Sequence, residues 1–318
     1  MEKIILTTTA SYFKTVEETD LKEFLAKRGI EVVLGADGLT PPFNFDVKKV
    51  IGLVAGHTPK GELVKVGAKE AALFPNLRVV TPFGIGIDHL DKAGLESSGV
   101  AMKTLPPTSK RAVAELAMAF ILNLARRINI QTSAMKNGVW ERVNGTVICE
   151  KTLGIIGLGN IGKKVAKMAR HFGMKVLAND LAYDEIFMRV HRIEKADLNT
   201  VLTKSDFLTL HVPLTEKTNN SVNKETIAKM KPGVFIVNTS RGAVVDEGAL
   251  LEALESGQVA GAALDVFSVE PPFTNEVTKS LIMHPNVITT PHIGAFTPEI
   301  RYAIAKKVSE EILAVCEV

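Results

Sequence analysis

Short runs of β-branched and aliphatic residues alternate, along almost the whole chain, with stretches whose apolar positions recur every three or four residues. That alternation predicts parallel sheets covered by helices. In the first third, strands are predicted at residues 3–7, 31–34, 51–55, 77–81 and 100–103. A helix is predicted over 16–27, where Leu21, Phe24 and Leu25 share a face and Gly29 stops the last turn. From 111 to 127, Val113, Leu116, Phe120 and Leu124 recur at helical spacing, and most of the other face is Ala, Met, Ile or Leu. A helix apolar nearly all round belongs between layers. Beyond it the same grammar returns, with strands at 153–157, 175–179, 206–211, 234–238, 262–266 and 286–289. The helices there are predicted at 161–172, 224–230, 249–256 and 298–315, with no internal repeat or low-complexity tract.

Composition narrows the class. The 318 residues are 46% hydrophobic and 23% charged, with a net charge of +3, which suits two globular domains and no polyanionic partner. Two cysteines, Cys149 and Cys316, make no disulfide framework or metal knuckle, so a cytoplasmic protein is expected. Ile4-Ile5-Leu6 runs straight into three threonines, so no signal segment is expected, and Glu115 and Asn123 interrupt the longest apolar stretch. Disorder, collagen, disulfide-bonded miniprotein and integral membrane protein are excluded.

The most informative stretch is Leu153-Gly-Ile-Ile-Gly157-Leu-Gly159-Asn-Ile-Gly162, an apolar strand running through G-x-G-x-x-G into a helix. Gly157 suits the tight turn, Gly159 lets backbone approach a pyrophosphate, and Gly162 permits close packing of helix on strand. Asp180 follows the next strand, 18 residues past the last glycine, where a carboxylate reads ribose hydroxyls and repels a 2′-phosphate. Leu181 and Ala182 offer no cation for such a phosphate, so NAD is expected over NADP.

Three further segments each follow a predicted strand: Val237-Asn-Thr-Ser-Arg241-Gly, Ala263-Leu-Asp265-Val-Phe-Ser-Val-Glu270-Pro-Pro, and Thr290-Pro-His292-Ile-Gly-Ala. Arg241, Glu270 and His292 are therefore expected at the carboxyl edge of a sheet, where open α/β folds bind ligands. The other histidines show no metal-ligand spacing, and no metal is expected. Phe83-Gly84-Ile85-Gly86 can present consecutive N–H groups to a carboxylate, with Asp88 as a candidate cap for the next helix.

With these segments in this order, the chain resembles the D-isomer-specific 2-hydroxyacid dehydrogenases over essentially its whole length. Met135-Lys-Asn-Gly-Val-Trp140 and Asp246-Glu-Gly-Ala-Leu are most similar to the D-3-phosphoglycerate dehydrogenase branch, in a short form without a regulatory domain. The resemblance implies two doubly wound parallel-sheet domains: a Rossmann NAD-binding domain at 104–293 and a flavodoxin-like substrate domain at 1–103 plus 294–318. It implies that the chain interconverts a 2-oxo acid and its D-2-hydroxy acid with NAD. The substrate would be 3-phosphohydroxypyruvate, or hydroxypyruvate and glyoxylate.

The implied roles agree with elementary chemistry. Arg241 would grip the substrate carboxylate and carbonyl, His292 would exchange the proton, and Glu270 would hold the imidazole and its tautomer. An acid beside the histidine fits this reaction better than formate oxidation, where the family has an amide. The same resemblance places Asp265 against the nicotinamide amide. It gives Gly157, Gly159, Asn160, Ile161, Gly162, Asp180, Val212, Thr239, Ser240, Gly294 and Ala295 to the cofactor, and Gly56, His57, Gly84, Ile85 and Gly86 to the substrate. A homodimer through the NAD domain is also implied.

One departure bears on the substrate. The phosphoglycerate branch often carries Arg in two places where this chain has Ala55-Gly56-His57-Thr58 and Thr81-Pro82-Phe83, and a phosphate needs charge-assisted partners. Two other classes fit parts of the pattern: an NAD(H)-sensing corepressor on the same fold, and an S-adenosylmethionine-dependent methyltransferase.

Overall fold

The computed structural model describes residues 3–84 and 86–317, in two compact units: 1–109 with 295–318, and 110–294. Each unit is built on a parallel sheet.

The first unit holds β1 (Lys3–Thr7), β2 (Ile30–Leu34), β3 (Val50–Ala55), β4 (Val79–Pro82) and β5 (Ala101–Met102). Their order is β2-β1-β3-β4-β5, the flavodoxin-like winding. β3 and β4 are buried at every position, as strands covered on both faces must be. One face packs Ile5, Tyr12, Val54 and Val79 against Ile304, Val308 and Ile312 of the helix Pro298–Cys316. Tyr12 is fully buried there, its hydroxyl 2.9 Å from Ser309 Oγ, and burial raises its pKa although that hydrogen bond opposes the shift.

The helix expected over 16–27 is instead two, Ala10–Glu17 and Leu21–Ala26. Thr19 makes the break: its hydroxyl donates back to the Thr15 carbonyl (2.6 Å) and accepts from the Leu21 N–H (3.4 Å). Such local bonds compete with the helical ladder. The helix Lys92–Ser97 is capped by Asp91, which accepts from the Gly94 N–H, and not by Asp88.

The second unit holds β6 (Thr152–Ile156), β7 (Lys175–Asn179), β8 (Glu194–Lys195), β9 (Phe207–Leu210), β10 (Val234–Asn238), β11 (Val259–Leu264) and β12 (Val287–Thr289). The order β12-β11-β10-β9-β6-β7-β8 reverses between β6 and β9, the switch point of a Rossmann sheet. The helix Lys110–Arg126 buries Ala114, Ala117, Met118, Phe120, Ile121 and Leu124 against one face of this sheet. It ends at Arg127, which adopts φ 54° and donates to the Ala260 carbonyl (2.9 Å), and a new helix, Ile128–Lys136, follows. At the amino edge, Asp206 accepts from the Thr152 N–H (2.7 Å) and from Lys231 (2.9 Å), tying three strand starts together.

Candidate active site

All seven strands of the second unit run parallel, so the segments after β6, β7, β9, β10, β11 and β12 emerge at one edge. The glycine turn joins β6 to the helix Asn160–His171. Gly157 has φ 98°, and a Cβ there would sit 2.7 Å from the His211 carbonyl carbon and 2.9 Å from the Val212 N. A Cβ on Gly162 would collide with the Gly157 carbonyl, while one on Gly159 meets nothing within 4 Å. Two of the glycines therefore close the turn, and the third faces open space beside the amides of Asn160 and Ile161 at the helix start, a cradle for phosphate. Asp180, just past β7, accepts from the N–H groups of Leu158 (2.5 Å), Leu181 (2.6 Å) and Ala182 (3.2 Å).

At the ends of the two central strands the structure holds polar atoms that want partners. The buried Thr239 hydroxyl and His211 Nδ1 have none among the described residues. Burial pushes the His211 pKa down to about 3, so the ring is neutral, and Thr209 Oγ1 lies 3.0 Å from its Nε2. Open space over Gly159, an unpartnered hydroxyl past β10 and an acid past β7 fit a dinucleotide.

Past β10, the side chain of Asn238 shapes the turn that carries Arg241. Its Oδ1 accepts from Ser240 N (3.0 Å) and Ser240 Oγ (2.8 Å), and its Nδ2 donates to the Arg241 carbonyl (2.9 Å). The Arg241 guanidinium donates to the Ser240 carbonyl (2.7 Å).

Past β12, His292 takes the left-handed conformation (φ 53°), and Asp265 holds it there. The Asp265 carbonyl accepts from His292 N (2.9 Å). Its carboxylate accepts from Thr290 Oγ1 (2.6 Å), Ile293 N (2.7 Å) and Gly294 N (2.9 Å). Burial raises the Asp265 pKa, against the pull of those donors and of His292. Three of its roughly four acceptor positions are taken, leaving one for a ligand.

His292 Nδ1 lies 2.9 Å from Glu270 Oε2, and Glu270 Oε1 accepts from the Phe267 N–H (3.2 Å). Partial burial pulls the imidazole pKa down, but the Glu270 hydrogen bond and charge, with the Asp265 charge, outweigh it. The net shift is upward, although the Arg241 charge opposes it. The His292 side chain remains 41% exposed, so a substrate can reach it. A guanidinium, a carboxylate-held imidazole and a dinucleotide cradle thus share one sheet edge. Such a set can bind a carboxylate and pass a proton beside a redox cofactor.

Elsewhere, Gly56 and His57 follow β3, and Gly84 and Gly86 follow β4, all in the first unit, while Ile85 lies outside the described residues. Ala295 begins the returning segment of the first unit. The roles of Thr290, of the clamping contacts of Asp265 and of Asn238 in building its turn emerge only from the structure. For Asn238 the sequence holds one signal, a polar residue at the end of a five-residue apolar strand.

Residues 118–294 match the NAD binding domain of the D-isomer specific 2-hydroxyacid dehydrogenases. The chain is 46% identical over 282 residues to the hydroxypyruvate reductase of Thermotoga maritima, covering 83% of this chain and 91% of that one. It is 43% identical over 294 residues to the D-3-phosphoglycerate dehydrogenase of Bacillus subtilis, covering 87% of this chain and 54% of the relative, about half its length. Among solved structures, D-lactate dehydrogenase from Aquifex aeolicus complexed with NAD and lactic acid matches with a TM-score of 0.82 at 27% identity, covering 99% and 97% of the two chains. The chain belongs to the D-isomer specific 2-hydroxyacid dehydrogenase family. It is an NAD-dependent 2-hydroxyacid oxidoreductase, and the methyltransferase reading falls away.

Proposed function

We propose that the chain reduces a small, unphosphorylated 2-oxo acid of the hydroxypyruvate or glyoxylate type to its D-2-hydroxy acid. The observation that carries this reading is the Glu270–His292 pair, 2.9 Å apart, at the same sheet edge as Arg241 and the glycine turn. Arg241 would hold the substrate carboxylate and carbonyl oxygen bidentately. Protonated His292 would give its proton to the carbonyl oxygen, or take the hydroxyl proton in the reverse direction. Glu270 favours the charged imidazole and would fix its tautomer. NAD(H), when bound, exchanges the hydride. Its contacts are assigned to Gly157, Gly159, Asn160, Ile161, Gly162, Asp180, Val212, Thr239, Ser240, Gly294 and Ala295, with the remaining acceptor position of Asp265 for the carboxamide. Gly56, His57, Gly84, Ile85 and Gly86 of the first unit are assigned to the substrate, and that unit is taken as the substrate domain.

The similarity to a D-3-phosphoglycerate dehydrogenase supports a second reading, 3-phosphohydroxypyruvate. The absence of Arg at Gly56-His57 and at Pro82-Phe83 weighs against it. A panel of hydroxypyruvate, glyoxylate, pyruvate and 3-phosphohydroxypyruvate, followed by NADH absorbance, separates the two. Highest kcat/KM on the phosphorylated acid would overturn the first reading. Absence of turnover on all four would overturn both readings of the substrate.

A homodimer through the NAD domain is also proposed. Ile128, Met135, Val139, Trp140 and Val147 are all large, apolar and exposed within a short stretch of that unit, and Trp140 is 79% exposed. A cytoplasmic location is proposed from the two free cysteines. No helix among the described residues is long and apolar enough to cross a membrane.

A further inference from the structure

The segment that carries Glu270, residues 267–275, lies outside any helix or strand. Val269 and Phe273 on either side of Glu270 are exposed at 52% and 65%. Apolar anchoring ends at the buried Phe267 and resumes with the helix Glu276–Met283. Between these points a residue from another helix reaches in. Glu247, in the first turn of the helix Glu247–Glu255, accepts at Oε1 from the Ser268 N–H (2.7 Å) and at Oε2 from the Thr278 hydroxyl (2.5 Å). Thr278 is 2% exposed, so this second grip is on a fixed point.

We infer that Glu247 is a positioning residue: its carboxylate staples both ends of the Glu270 loop and so sets where Glu270 meets His292. The inference rests on the proposed proton exchange at His292 and adds to it a residue that touches neither substrate nor cofactor. The chemistry of the staple is specific. A carboxylate is acceptor-only at two oxygens, so one side chain can take a backbone N–H and a hydroxyl together. Ser268 lies two residues before Glu270, and its neighbour Phe267 donates directly to Glu270 Oε1, so slack at Ser268 passes straight to the catalytic pair. An error of about 1 Å in such a pair is costly to catalysis.

Glutamine provides a conservative rescue. Its carbonyl oxygen can still accept from Ser268, and its amide can donate to Thr278 once that hydroxyl turns. Alanine can do neither. Thr278→Val removes only the second grip with little change of volume.

The test follows His292 by NMR titration of its imidazole in the full chain, without substrate, alongside the pH dependence of kcat and KM. Within the second unit, the charged groups that act on that ring are Glu270, Asp265 and Arg241, and Glu270→Gln sets the full extent of the change. In Glu247→Ala the His292 midpoint is expected to fall by about 0.5–1 pH unit, part of the roughly 1–3 units an adjacent opposite charge supplies. Its kcat should drop about tenfold, part of the roughly 10²–10⁴ a positioned acid contributes. KM for NADH should stay put, and Glu247→Gln should restore both values. A His292 midpoint unmoved in Glu247→Ala, even with a lowered Tm, would overturn the inference. If Glu247→Ala fails to fold, Thr278→Val decides by the same criterion, with a smaller shift expected and an unmoved midpoint overturning it. A wild-type chain that reduces no 2-oxo acid would sink the proposed function, while the His292 titration would still decide the role of Glu247.

Discussion

Asp265 illustrates how one side chain can prepare another. His292 sits in a left-handed conformation that costs a non-glycine residue about 1–2 kcal/mol, and the Asp265 carboxylate and carbonyl hold it there. The order of Arg241, Glu270 and His292 along the chain was enough to nominate them from sequence, because each follows a strand and side-chain chemistry constrains its use. The clamp was not legible, since its partners are backbone N–H groups that every sequence has. Two predictions belong at this scale. Arg241→Lys should lower kcat/KM at least about tenfold, because an ammonium cannot grip a carboxylate with two parallel bonds, and Arg241→Ala should cost more. Steady-state kinetics on hydroxypyruvate would check both. The second concerns pH. The folded-state pKa of His292 is raised, so its protonated form persists above the ordinary imidazole value of 6.5. Reduction, which needs that proton, should hold level at low pH and fall as pH rises through the raised pKa, while oxidation does the reverse. Glu270→Gln should move the limb to lower pH. The stability contributed by the Glu270–His292 pair follows the same sign: present below the unfolded imidazole pKa and lost as pH climbs through the folded one.

Among the elements, strands were the easiest to read. All the long ones were found within about three residues at each end, because a parallel strand covered on both faces is a continuous apolar run. Several short helices escaped, among them Glu185–His191, Leu198–Lys204 and Glu276–Met283. Each of these three announces itself only by a capping side chain, Asp184, Asp197 or Asn275, and its apolar face spans barely two turns. Such helices owe their form to the sheet beneath them more than to their own propensity. The helix Asn160–His171 shows the opposite case, where sequence states the packing outright. A methyl group at position 162 would strike the Gly157 carbonyl and lift the helix from the turn. Gly162→Ala should therefore weaken NADH binding by about 10–100-fold, in line with the ~1–3 kcal/mol that overpacking costs. Fluorescence titration with NADH measures it, and unchanged affinity would mean that the helix start does not hold the phosphates.

At the scale of the molecule, one unit is continuous in sequence and the other is not. Residues 110–294 form their sheet and both of its apolar layers from a single stretch. A fragment of those residues should therefore fold cooperatively and bind NADH without turning over any 2-oxo acid, as calorimetry and titration would reveal. The first unit instead needs the distant helix Pro298–Cys316 to finish its core. Ile312→Ala, at a fully buried position, should destabilise that unit by about 2–5 kcal/mol. Sequence periodicity found the helix, but which sheet it covers is a long-range pairing that local pattern does not encode.

That discontinuity imposes a schedule during synthesis. The ribosome releases β1 to β5 first, with Ile5, Val54 and Val79 lacking the helix that will cover them. At ~5–20 residues per second, the intervening segment takes on the order of 10–40 s to emerge. The unit made second is thus the one able to finish folding first. The unit made first passes that interval with this apolar face uncovered, until the helix Pro298–Cys316 emerges to close it.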